Sequence, residues 1–135
     1  DEINLPQPGR NYGWPVITHG INYSGLKIPE AEGKAKAGME QPHHVWEKSP
    51  GLSGMAFFVG RPRHPWNNSL LLGALADRNL IRLTLDGDKV VSEERLLGDL
   101  GKRIRDVRVS ADGKVYVLTD EDDGQLLELV PPAAP

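Results

Sequence analysis

The stretch from Arg103 to Asp120 constrains the fold more than any other part of the chain. It reads as a strand, Arg103-Ile104-Arg105-Asp106-Val107-Arg108-Val109, then a tight turn, Ser110-Ala111-Asp112-Gly113, then a second strand to Asp120. Gly113 can take the positive φ that such a turn requires, and Asp112 can bond neighbouring backbone. Strict alternation places Arg103, Arg105, Val107 and Val109 on one face of the first strand. In the second strand Val115 and Val117 point one way and Tyr116 and Leu118 the other, so burial on both faces is expected. A short strand covered on both sides, with two arginines at its leading end, suits a propeller blade facing a central site. The same spacing also describes a solvated arginine pair at a strand end, and spacing alone favours that reading.

The stretch is one of several. Further strands are expected at Ser53–Phe58, Leu70–Ala76, Leu80–Leu85, Lys89–Leu97 and Gln125–Val130, with Asp86-Gly87 as a second hairpin turn. They group into two units with a period of roughly 50 residues, within the range of propeller blades. The expected fold is all-β: about two blades plus a long loop region, forming the end of a β-propeller. Residues 1–52 form the loop region, rich in Gly, Pro and Asn, with Tyr12, Trp14 and Tyr23 arguing against disorder. Residues 53–98 form a penultimate blade, 99–131 a last, incomplete blade, and 132–135 a tail. Two blades cannot close a ring, because propellers have at least about four.

Composition narrows the partners. A net charge of −3 offers no basic surface for nucleic acid. The absence of cysteine excludes a disulfide framework and thiolate metal sites. No apolar run approaches the roughly 20 residues of a membrane span. The first residue is Asp1, not methionine, so a chain processed or cut from something longer is expected.

Asp1-Glu2-Ile3-Asn4-Leu5, Asn11-Tyr12-Gly13-Trp14-Pro15-Val16-Ile17, Gly20-Ile21-Asn22-Tyr23-Ser24-Gly25, Ser53-Gly54-Met55-Ala56-Phe57, Arg103-Ile104-Arg105-Asp106-Val107 and Leu118-Thr119-Asp120-Glu121 occur in order along the chain. Together they resemble the soluble, pyrroloquinoline-quinone-dependent sugar dehydrogenases of the glucose/sorbosone dehydrogenase family, above all its aldose sugar dehydrogenase branch. The resemblance covers essentially the whole chain, as that family's C-terminal third, and so implies the C-terminal portion of a six-bladed β-propeller. It implies a bacterial, periplasmic or secreted enzyme that oxidises aldoses at the anomeric carbon by hydride transfer to the quinone. An aldose substrate and an external electron acceptor follow as partners.

By matching position, the resemblance makes Arg103, Ile104 and Arg105 cofactor-contacting residues, together with Tyr23 and the segment Ala74-Leu75-Ala76. The chemistry fits: the quinone carries three carboxylates, and a guanidinium fork binds carboxylate bidentately. Glu2 and Tyr12 match a calcium site, Glu2 through its carboxylate and Tyr12 through an oxygen. At Ala76 the chain departs from the family, which usually has a lysine reaching the cofactor there. The catalytic histidine and the calcium ligands at the quinone lie N-terminal to Asp1 in that family, so no catalytic residue is expected here. The isolated chain is then expected to be inactive. Its open blade face and unpaired strand edge favour a homo-oligomer.

Other candidates carry less. His43-His44 suggests metal, but neighbours in extended chain diverge. Asp120-Glu121-Asp122-Asp123-Gly124 lacks the spacing of a calcium-binding EF-hand loop. Trp46 serves either stacking or core packing. Two other function classes stay open: a non-catalytic binding propeller that lost its cofactor, and a calcium-dependent lactone hydrolase of six-bladed propeller type.

Overall fold

The structure is a computed structural model and describes residues 1–130, so the tail expected over 132–135 lies outside the described residues. The chain divides into two compact units, Asp1–Ser49 and the residues from Pro50 onward. No α-helix occurs among the described residues.

The first unit contains one short antiparallel ladder, β1 (Glu2–Ile3) with β2 (His44–Val45), which the sequence pattern did not reveal. Pairs this short carry no period to read. Elsewhere the unit is held by turns and by side chains that bond backbone. Ile17 N–H donates to Gly13 O at 2.9 Å, and Thr18 N–H to Gly33 O at 3.0 Å. Asn11 Oδ1 accepts from Gly13 N–H at 2.8 Å. Ile17, Ile28, Ala31 and Trp46 form its buried apolar set. Trp46 meets His44 edge-on, with ring centroids 4.4 Å apart, so packing is its role here.

The second unit is two antiparallel sheets in which each strand pairs with its sequence neighbour. One contains β3 (Leu52–Phe58), β4 (Ser69–Ala74), β5 (Asn79–Asp86) and β6 (Lys89–Leu96); the other contains β7 (Ile104–Val109), β8 (Val115–Thr119) and β9 (Leu126–Leu129). Every residue of β4 is buried, as its apolar run requires of a strand covered on both faces. A 3-10 turn at Gly98–Leu100 links the sheets. Phe58, Trp66, Leu71, Leu80, Ile104, Val107, Val115 and Val117 form one core drawn from both sheets. Leu71, Leu80, Ile104, Val107, Val115 and Val117 have no solvent exposure, and burying each such side chain contributes about 1.5–3 kcal/mol. The sheets approach closely at Gly73, where a Cβ would fall 2.5 Å from Ser53 Oγ and 2.9 Å from Ile104 O.

Two expectations drawn from alternation fail. Arg105 does not share a face with Val107 in a regular strand, because the β7–β8 register slips between Ile104 and Asp106. This bulge inserts one residue, so Ile104 and Val107, three apart, both enter the core while Arg105 is exposed. The second correction concerns β8. Val115 and Val117 are buried as expected, but Leu118 is 43% exposed and the Tyr116 hydroxyl bonds the Glu128 carboxylate at 3.2 Å. Only one face of β8 is covered, since no further sheet lies against the other among the described residues.

Candidate cofactor site

The start of β7 and the end of β4 lie side by side in the second unit. Ser53 Oγ donates to Ile104 O at 2.7 Å, tying β3 to β7. Leu52 pairs with Ala74, so β3 begins where β4 ends. β4 stops at Ala74, short of the expected Ala76, because the following N–H groups turn away from the ladder. Leu75 N–H donates to Gly51 O at 2.8 Å and Ala76 N–H to Pro50 O at 3.0 Å. Gly51 has φ 68°, and a Cβ on it would fall 2.9 Å from Ala76 N, so a side chain at 51 would displace this segment. Ala74 and Ile104 are buried, whereas Ala76 and Arg105 are exposed.

Arg103 and Arg105 converge on one carboxylate. Arg103 donates from Nε and Nη2 to Asp120 Oδ2 at 2.9 and 2.8 Å. Arg105 donates from Nε to Asp120 Oδ1 at 2.9 Å, and its Nη2 lies 2.9 Å from the same oxygen. These bonds hold the Asp120 carboxyl below the ordinary carboxylate range, Arg103 contributing most and Arg105 next. The cluster carries two positive charges and one negative, a net attraction for an anion. Beside it Lys102 Nζ bonds Glu121 Oε2 at 2.7 Å, which raises the lysine's pKa. The importance of Asp120 was not evident from the sequence, although a signal was present. Arginine and aspartate stand at the two ends of one hairpin, where antiparallel pairing returns them to each other; Asp120 N–H donates to Arg103 O at 2.9 Å.

In the first unit Tyr23 is fully exposed, with its backbone N–H bonded to Asn22 Oδ1 at 2.9 Å. Glu2 and Tyr12 line a cavity of about 10 Å³ together with His19 and Glu40, space for roughly one water-sized species. Glu2 Oε1 accepts from Asn4 Nδ2 at 2.9 Å. The Tyr12 hydroxyl donates to Leu5 O at 2.7 Å and accepts from Gln7 N–H at 2.8 Å. No group of three or more His, Asp or Glu suited to a metal occurs among the described residues. A calcium ion, which takes six to eight oxygens, would complete its shell with backbone oxygens and water. Of the remaining histidines named by position, His64 is structural: its Nδ1 accepts from Trp66 N–H at 3.0 Å and its ring packs against Phe58.

The family model described as glucose/sorbosone dehydrogenase matches residues 1–128. The chain belongs to the glucose/sorbosone dehydrogenase family. It is 54% identical over 131 residues to aldose sugar dehydrogenase YliI of Escherichia coli K12, covering 97% of this chain and 35% of that protein. Among solved structures, a glucose dehydrogenase is 61% identical with a TM-score of 0.93, over 97% of this chain and 38% of that one. The PQQ-bound form of aldose sugar dehydrogenase from Streptomyces coelicolor is 27% identical with a TM-score of 0.67, over 95% of this chain and 35% of that one. The chain thus spans little more than a third of the length of these family members, and its two sheets are part of a β-propeller.

Proposed function

We propose that this chain is the C-terminal part of a six-bladed, pyrroloquinoline-quinone-dependent dehydrogenase that oxidises aldoses at the anomeric carbon, with its site residues binding the quinone. The observation that carries the reading is the convergence of Arg103 and Arg105 at the start of β7, beside the Ala74–Ala76 segment at the end of β4. With one edge of each guanidinium on Asp120, the pair keeps a net positive charge with which to attract a multiply charged carboxylate, and the quinone is such a ligand. When bound, the quinone supplies the hydride-accepting carbonyl, which calcium polarises. The chain's own residues bind and orient: Arg103 and Arg105 hold carboxylates, and Leu75 and Ala76, which are not fully buried as Ala74 and Ile104 are, offer an edge against which a flat ring can lie. Glu2, through its carboxylate, and Tyr12, through an oxygen, would hold a separate calcium ion at the small cavity they line in the first unit. The enzyme is bacterial and periplasmic or secreted, and passes its electrons to an external acceptor. Among the described residues no helix is long and apolar enough to cross a membrane.

Each charge-assisted hydrogen bond to a guanidinium contributes about 1.5–3 kcal/mol, so losing one weakens binding roughly ten- to a hundredfold. The test is a titration of full-length protein with the quinone in the presence of calcium, read by the cofactor's absorbance. Binding that falls in Arg105→Ala by at least about tenfold, with the thermal midpoint little changed, supports the reading. Equal loss of folding and binding, or no binding by the unaltered protein, refutes it. In the latter case the non-catalytic propeller, consistent with an uncharged Ala76, replaces it.

A further inference from the structure

Resting on that reading, we propose that Asp120 is a positioning residue that locks Arg103 and Arg105 into a single binding surface for the quinone's carboxylates. Three observations carry it. First, each oxygen of the Asp120 carboxylate serves one arginine, and both arginines present the same edge to it, Nε with Nη2. The Nη1 group of each is left without a partner among the described residues, so the two free edges are held in a fixed relation. Second, the carboxylate stands on fixed backbone. Asp120 N–H donates to Arg103 O at 2.9 Å, and the neighbouring Thr119 is buried, with its Oγ1 accepting from Gln125 N–H at 2.8 Å. Third, the arginines flank buried Ile104, so the strand puts both on its open side, but at 41% and 48% exposure no packing fixes their side chains. The relation between the two guanidinium groups is therefore set by the Asp120 bridge.

A negative charge beside an anion site also repels the ligand, so Asp120 has two opposed effects. Positioning prevails here for a physical reason. The arginine side chains are 41% and 48% exposed, which leaves them open to solvent. Free arginine side chains sample many rotamers and repel each other, so without the bridge each must be ordered by the ligand itself. The repulsion between Asp120 and the ligand, by contrast, is screened by water at such an exposed site.

The test uses full-length protein, unaltered and as Asp120→Asn and Asp120→Ala. Asp120→Asn keeps the shape and removes the charge; Asp120→Ala removes both. Three measurements are made: quinone affinity at low and high salt, thermal midpoint, and the Nε–H signals of Nε-labelled arginine by NMR without quinone. Expected are an affinity loss of about tenfold or more in Asp120→Ala at both salts, a smaller loss in Asp120→Asn, and near-constant midpoints. Two slowly exchanging Nε–H signals should disappear in Asp120→Ala, a change that a merely structural role would not produce at constant midpoint. Unaltered protein that binds quinone while Asp120→Ala binds equally well or better overturns this proposal alone. Unaltered protein that binds no quinone overturns it together with the reading beneath it.

Discussion

The two units of this chain are stabilised by different physics. From Pro50 onward, consecutive strands build ladders over a core whose members are almost all fully buried, and outside the β7 bulge the strand pairing decides which side chains enter it. In Asp1–Ser49 the β pairing amounts to one two-residue ladder and an isolated bridge between Ile17 and Gly33, and Ile17, Ile28 and Trp46 keep 5–7% exposure. That unit is held by particular partners, such as the Tyr12 hydroxyl between Leu5 and Gln7. The sheets draw on many interchangeable apolar contacts, and the loop unit on a few that have no substitute. Damage to the sheets should therefore lower global stability, and damage to the loops should stay local.

The largest expected effect concerns the chain as a free piece. In isolation it should not turn over an aldose even with quinone and calcium supplied, since a positioned general base alone is worth about a hundred- to ten-thousandfold in rate. A soluble monomer by sedimentation that oxidises glucose would defeat both this and the expected self-association. Next comes the core: Leu71→Ala, at a site with no exposure, should cost about 2–5 kcal/mol in a denaturant titration. A smaller cost would mean that the sheets are no more tightly specified than the loops.

Tyr12→Phe tests the other side of the comparison. Removing a hydroxyl that makes two bonds at a half-exposed position should cost about 0.5–1.5 kcal/mol. Faster proteolysis is expected in residues 1–49, with hydrogen exchange in β4 and β5 unchanged. Uniform loss of protection across both units would erase the distinction drawn here. Ala76→Lys supplies the cation that the family resemblance implies at this position, and should tighten the quinone by about 1.5–3 kcal/mol in the full-length protein. An unchanged affinity would place position 76 outside the site.

The smallest effect is set by pH. The two arginines lower the pKa of Asp120 in the folded chain, so the carboxylate binds its proton more readily when unfolded. Its contribution is present above the unfolded value of about 3.9 and is lost as pH falls through the lower folded value. Acid unfolding of Asp120→Asn should therefore be shifted only slightly relative to the unaltered protein, with the two curves converging at the acid end. A divergence that instead grew with acidity would mean that Asp120 is not the group responsible.

The sequence by itself determined the sheets. Period-2 apolar runs punctuated by Asp-Gly turns place the strands from Leu52 to Leu129 to within a residue or two, because a strand's parity, its burial and its turns are all local properties. It also determined the family, through short motifs in order over most of the chain. Tertiary structure alone decided the rest. The bulge at Arg105 is invisible to alternation, since it arises from the partner strand's register and not from any residue's preference. The end of β4 at Ala74 depends on carbonyls of Pro50 and Gly51 more than twenty residues away in sequence. Asp120 becomes the hub of the arginine pair only when the hairpin closes. A carboxylate reads as one more surface charge until folding places it against two guanidinium groups.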